Sequence, residues 1–165
     1  MKLQVEFVAT SPRWRAALAA RTLARQAIAA SLAECGVALR PGAELCVHLA
    51  DDAHIRDLNA RWRGLDKATN VLSFPAVDPA NIGQARLLGD IVLSFETVAR
   101  EAAAEGKPLA DHYRHLVVHG FLHLIGFDHE TDVDARRMEE SETRILARLG
   151  VADPYRASEL VGAAP

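Results

Sequence analysis

Apolar and polar positions alternate over Met1 to Val8 and again over Glu44 to Leu49, the two-residue period of strands with one buried face. Asn70 to Phe74 and Arg86 to Ser94 are short apolar-rich runs, the first stopped by Pro75, and they predict a third and fourth strand. Between the first two strands an alanine-rich segment reads as one helix to about Glu34, opened by Ser11-Pro12 as N-cap and first helical residue and closed by Cys35-Gly36. Asp51-Asp52 caps a helix to about Trp62, and Ser94 caps one over Phe95 to Glu105. Pro108 opens the next helix, and Thr131 or Asp132 opens the last, which ends near Leu149-Gly150. Residues 76–85, with Pro79 and Gly83, form the longest loop. Strands early, helices late and one β-α-β unit predict an α+β domain: a small mixed four-stranded sheet with flanking helices. We assign residues 1–151 to this single domain and 152–165 to a C-terminal tail.

The 165 residues are half apolar, enough to bury a real core. No apolar run approaches the roughly 20 residues that span a bilayer, so no membrane role is expected. The start lacks the apolar core and cleavage site of a signal peptide. Cys35 and Cys46 form no C-x-x-C pair, and two cysteines are too few for a disulfide framework. These features fit a reduced, cytoplasmic setting. A net charge of −3 argues against a wholly basic nucleic-acid binder. Charge is uneven, however: Arg13, Arg15, Arg21 and Arg25 crowd the first helix, Arg56, Arg61, Arg63 and Lys67 precede the third strand, and acidic residues gather after Asp128. The first cluster reads as a solvated helix face.

The chemistry concentrates in His119-Gly120-Phe121-Leu122-His123-Leu124-Ile125-Gly126-Phe127-Asp128-His129. His119 and His123, four apart, share one face of a helix. Gly126 can end that helix with a left-handed residue, and His129 then returns towards the first two. Three imidazoles suit zinc and leave a fourth position open, as catalytic rather than structural sites do; nickel, copper or cobalt are alternatives. His115 also lies on this face, but it is about 12 Å along the helix from His123 and cannot share the ion, so it is expected beside the site. His112 is expected in solvent, and His48 and His54, without metal spacing, are expected to be structural. Asp128 is either an outer partner of a ligand or a turn residue, and Asp90 reads as turn chemistry. Leu116, Leu122, Leu124 and Ile125 belong to the core. Zinc proteases of related spacing carry a glutamate after the first histidine; Gly120 stands there instead and cannot act as a base.

This stretch resembles the hallmark H-G-x-L-H-L-x-G-[FY]-D-H of the YbeY family, bacterial metal-dependent endoribonucleases. Leu58 to Pro75 is similar to that family's L-N-x-x-[YW]-R-G-x-D-x-x-T-[DN]-V-L-S-F-P segment, and Leu88 to Ser94 to its L-G-D-I-x-I-S strand. The resemblance implies a single-strand-specific endoribonuclease with one zinc-like ion on His119, His123 and His129, acting in small-subunit (16S) rRNA maturation, processing and ribosome quality control. It implies a small-subunit ribosomal protein and an assembly GTPase as partners. It also gives Arg63 a critical role, which charge chemistry explains: a planar guanidinium can hold phosphate oxygens and offset charge in the transition state. Arg61 and Lys67 would add charge, and Asn70 and Ser73 could bond along an exposed edge near the site. The rival expectation is a non-catalytic ribosome-assembly RNA-binding factor whose metal only staples the fold.

Overall fold

The computed structural model describes residues 3–156. Four strands, β1 (Gln4–Ala9), β2 (Glu44–Ala50), β3 (Val71–Pro75) and β4 (Leu87–Ser94), form one mixed sheet in the order β1-β2-β4-β3. β1, β2 and β4 run parallel, whereas β3 pairs antiparallel with β4 at one edge. The helices are α1 (Arg13–Ala17), α2 (Ala20–Cys35), α3 (Asp52–Arg63), α4 (Phe95–Ala104), α5 (Leu109–Leu124) and α6 (Asp132–Arg148). The α+β class and the four strands match expectation.

Period-two alternation divides the sheet's two faces. Leu45, Val47, Leu49, Ile91 and Leu93 meet α2, α5 and α6 through Ile28, Val117, Phe121, Ile145 and Leu146 in the main core. On the opposite face Ala50, Leu72 and Val92 meet only Ile55 of α3 and its neighbours. One face is thus thickly covered, and the other is covered at one end.

The single helix expected after β1 is two. Leu18 is extended (φ −162°, ψ 165°) between α1 and α2. Tertiary contacts impose the break on a segment whose alanines would otherwise continue as helix. Trp14, 1% exposed, packs edge-on against Phe95 and donates from Nε1 to the carbonyl of Ala50 at 2.8 Å. Tyr113 donates its hydroxyl to the carbonyl of Ala20 at 2.9 Å. Pro12 is itself the N-cap rather than the first helical residue, with Ser11 Oγ accepting from the Arg13 amide at 3.4 Å. The expected loop over 76–85 contains a 3-10 helix, Pro79–Gln84, capped by Asp78. Asp51 and Thr131 cap α3 and α6 as expected, accepting from His54 and Asp134. Ser94 stands at the N-cap of α4, but its hydroxyl donates to Asp52 instead.

Candidate metal centre

α5 lies across β3 and β4, and Gly120 is what lets it do so. A Cβ there would sit 2.9 Å from Ile91 Cγ2, 3.1 Å from Ser73 Oγ and 3.3 Å from Val71 Cγ2. Ser73 uses the same close approach to donate to the Gly120 carbonyl at 2.8 Å. The position where zinc proteases hold their glutamate is therefore a helix–sheet contact with no room for one. After Leu124 the helix stops, and Gly126 takes φ 110°. The Phe127 amide bonds back to the Leu122 carbonyl at 3.0 Å, which turns the chain so that His129 faces the helix.

His119, His123 and His129 come together, with ligand atoms all within 4.8 Å of one another. The ring of His129 stacks 5.9 Å from that of His119 and stands edge-on 5.1 Å from that of His123. Outer contacts fix which nitrogens face inward. His119 Nδ1 lies 2.7 Å from Glu142 Oε1, and His123 Nδ1 lies 3.0 Å from the Phe127 carbonyl. Both partners only accept, so both Nδ1 atoms carry protons, and with both rings neutral the two Nε2 lone pairs face each other, 3.1 Å apart. Two facing lone pairs repel unless a cation lies between them. Tetrahedral zinc–imidazole bonds of about 2.0–2.1 Å place donor nitrogens roughly 3.3–3.4 Å apart, close to the spacing found here. The donor set therefore fits a divalent metal. Burial, with His119 and His129 close by, pushes His123 down to about 4, so its ring is neutral near pH 7 and its Nε2 can bind a cation.

Glu142 is the part of the site that the sequence reading missed. It projects from α6 fully buried, 0% exposed. Its second oxygen lies 2.7 Å from His115 Nε2 and accepts from the Tyr155 hydroxyl. Burial pushes the Glu142 carboxyl up, but hydrogen bonds from His115 and His119 outweigh it and hold it at about 2. A signal existed: Glu142 sits on the buried stripe of α6 with Met138, Ser141 and Ile145, where a charged residue needs a partner. His115 thus lies beside the three-histidine cluster and is joined to His119 through Glu142. Tyr155 reaches the same carboxylate from beyond residue 151, where the tail was expected to start; residues 157–165 of that tail lie outside the described residues.

Other expectations fare differently. His112 is 5% exposed rather than solvated, because its Nε2 meets Glu101 at 3.0 Å, and Asn70 donates to that same carboxylate. Asn70 therefore belongs to a half-buried network with Glu101 and His112. Asp128 is exposed and accepts from the Glu130 amide, a turn residue, with Glu142 filling the outer-partner role. Leu116, Leu122 and Leu124 are buried, and Ile125 is half-buried against the core.

Arg63 is the last residue of α3, exposed, with no ion pair among the described residues, whereas Arg56 pairs with Asp66 and Arg61 with Asp57. α3 packs on the sheet face opposite α5, and no hydrogen bond or ion pair joins Arg63 to the histidines. Beside it Trp62 is 71% exposed, its ring 6.4 Å from that of Phe74 on β3. A cavity of about 640 Å³ lies at the α1–α2 break around Trp14 and Leu18 and contains none of these residues. The histidines sit at an open surface instead.

An α+β sheet carrying three converging imidazoles has the donor set of a site that could hold a catalytic divalent metal. Residues 11–150 match the family model described as Endoribonuclease YbeY. The chain is 54% identical over 145 residues to Endoribonuclease YbeY of Rhodopseudomonas palustris strain BisA53, covering 86% of this chain and 84% of that one. It is 60% identical over 117 residues to the Bradyrhizobium diazoefficiens protein of the same name, covering 68% and 64%. The chain belongs to the endoribonuclease YbeY family, and as such it is an enzyme that hydrolyses RNA. The fold matches the solution structure of TM1509 from Thermotoga maritima, with a TM-score of 0.56 and 20% identity over 92% of this chain and 98% of that one. No helix among the described residues is long and apolar enough to cross a membrane.

Proposed function

We propose that the chain is a single-strand-specific endoribonuclease whose one zinc-like ion is held by His119, His123 and His129. The observation that carries this reading is the pair of Nε2 atoms converging at 3.1 Å while both Nδ1 atoms face acceptors. The ion, when bound, supplies Lewis acidity and lowers the pKa of a bound water towards about 7. The protein's own groups do the rest. Glu142 fixes the His119 ring and its tautomer, and the Phe127 carbonyl does the same for His123. Arg63, free of a carboxylate partner, holds phosphate oxygens and offsets the charge that builds on them. Trp62, exposed between Arg61 and Arg63, offers a ring on which an unpaired base can stack. That preference for splayed bases supports single-stranded RNA over duplex.

In the cell, the substrate we assign is small-subunit rRNA, in maturation, processing and ribosome quality control, with a small-subunit protein and an assembly GTPase as partners and the cytoplasm as the location. The similarity to YbeY endoribonucleases supports this assignment. The test is cleavage of an unstructured RNA by protein stripped with chelator and then given zinc, beside His123→Ala and Arg63→Ala. Cleavage that needs metal and is lost in both variants supports the reading. Equal cleavage by all three proteins overturns it.

A further inference from the structure

The thinly covered face of the sheet carries a second cluster of metal-ligating side chains. Cys46 and His48 stand two apart on β2 and so share that face, and Asp90 on β4 is the register partner of Cys46. Their ligand atoms all lie within 4.8 Å of one another, with His48 Nε2 3.5 Å from Asp90 Oδ1. Tetrahedral sites with bonds of about 2.0–2.3 Å place such donors roughly 3.3–3.8 Å apart. All three residues are half-buried, so a cation can reach them from solvent. Sequence spacing hid this group because its third member is a neighbour across strands, not along the chain.

The β2–β4 ladder is irregular directly beside this group. The β2–β4 register slips between Glu44 and Cys46, leaving an extra residue on β4. Gly89 sits in that bulge at φ 142°, where an added Cβ would lie 2.3 Å from the Phe74 carbonyl oxygen. Asp90 alternates with Ile91 and Val92 and so shares the exposed face with Cys46 and His48, while the extra residue returns Leu88 to the main core. From the lost register we infer that the β2–β4 ladder is weakest at this point.

We propose that Cys46, His48 and Asp90 form a second metal site, separate from the three-histidine centre, which takes one borderline-soft divalent cation such as zinc or cobalt and clamps β2 to β4 at the bulge. Thiolate, imidazole and carboxylate together select zinc or cobalt over magnesium or calcium, which favour oxygen alone. Burial, with Asp90 and Glu6 close by, pushes the Cys46 thiol up. The carboxylates that oppose a bare thiolate are the ones that attract a cation, and a divalent ion neutralises Cys46 and Asp90 together. Glu6, the register partner of Cys46 on β1, adds negative charge to the same exposed face. The clamp reaches the catalytic side through Gly89, because the Leu124 side chain at the end of α5 packs against that glycine's backbone.

Cobalt(II) separates the two sites, since only a thiolate ligand gives an intense sulfur-to-cobalt charge-transfer band in the near ultraviolet, and the three-histidine centre has none. Expected are two equivalents of cobalt bound by the wild-type protein, with the thiolate band accompanying one of them. Cys46→Ser and Asp90→Asn should each lose one equivalent, Cys46→Ser should lose the band, and both should keep RNA cleavage. His123→Ala should lose the other equivalent and keep the band. The wild-type spectrum needs no variant to fold. Absence of a thiolate band at saturating cobalt overturns the proposal. So does a band of full intensity in Cys46→Ser, which would place the thiolate at Cys35.

Discussion

Replacing Glu142 with glutamine tests whether the outer contacts of the metal centre act as the geometry says. The side chain is fully buried, and its two oxygens accept hydrogen bonds from His119, His115 and Tyr155. Glutamine keeps the volume but offers one acceptor. Its amide N–H groups must then face a ring N–H or the tyrosine hydroxyl. If the amide oxygen stays with His115, the Nδ1 proton of His119 loses its partner, and the ring loses both its tautomer and its orientation. Removing such an outer partner weakens metal binding by about 10- to 100-fold, which at 1.36 kcal/mol per tenfold is roughly 1.4–2.7 kcal/mol. Leaving one buried donor unpaired adds about 1–3 kcal/mol of lost stability in the metal-free protein. The assay restores RNA cleavage to chelator-stripped protein with buffered zinc and reads the concentration giving half the maximal rate. Expected is a 10- to 100-fold rise with the maximal rate largely kept, beside a lower unfolding midpoint without metal. A half-saturating zinc concentration within about twofold of wild type would refute the reasoning, because Glu142 would then be packing alone.

Gly120→Ala should cost about 1–3 kcal/mol by overpacking, since its Cβ meets Ile91 at 2.9 Å on a rigid sheet; chemical denaturation reads this, and unchanged stability would mean that α5 can lift from β3. Trp62→Ala should leave stability within about 0.5 kcal/mol yet weaken single-stranded RNA binding by about 5- to 150-fold, the equivalent of about 1–3 kcal/mol of stacking, as read by fluorescence anisotropy. Burial pushes the Asp52 carboxyl up, but the Ser94 and Thr97 hydroxyls and the Arg100 guanidinium outweigh it and hold it below its ordinary 3.8. The unfolded chain then binds the proton first, so the stability this group contributes is full above about pH 3.8 and is lost as pH falls through the lower folded value. Asp52→Asn should therefore flatten the acid limb of a stability–pH curve, and an unchanged slope there would assign acid unfolding to other groups.

Much of the architecture could be read along the chain because local chemistry and tertiary demand agree there. Asp51 and Thr131 cap their helices, and the alternating strands bury one face. The three histidines could be read for the same reason, since helical spacing and the turn after Gly126 are local facts. The misreadings share a cause in contacts distant in sequence. Trp14 and Tyr113 break the first helix by bonding to Ala50 and Ala20. Glu101 draws His112 inside from the neighbouring helix. Tyr155 and Glu142 reach the histidines from the last helix and beyond. Asp90 meets Cys46 and His48 across two strands, as the register partner of Cys46. Of these, Glu142 alone left a mark in the sequence, as a carboxylate on an apolar stripe.

The most direct test of the central claim is RNA cleavage by four histidine variants, each stripped of metal and then given zinc. Expected is activity that returns with zinc in the wild-type protein and is absent in His119→Ala, His123→Ala and His129→Ala, while His115→Ala keeps most of it. Full zinc-restored cleavage by His129→Ala would contradict a three-histidine centre and move the third ligand elsewhere.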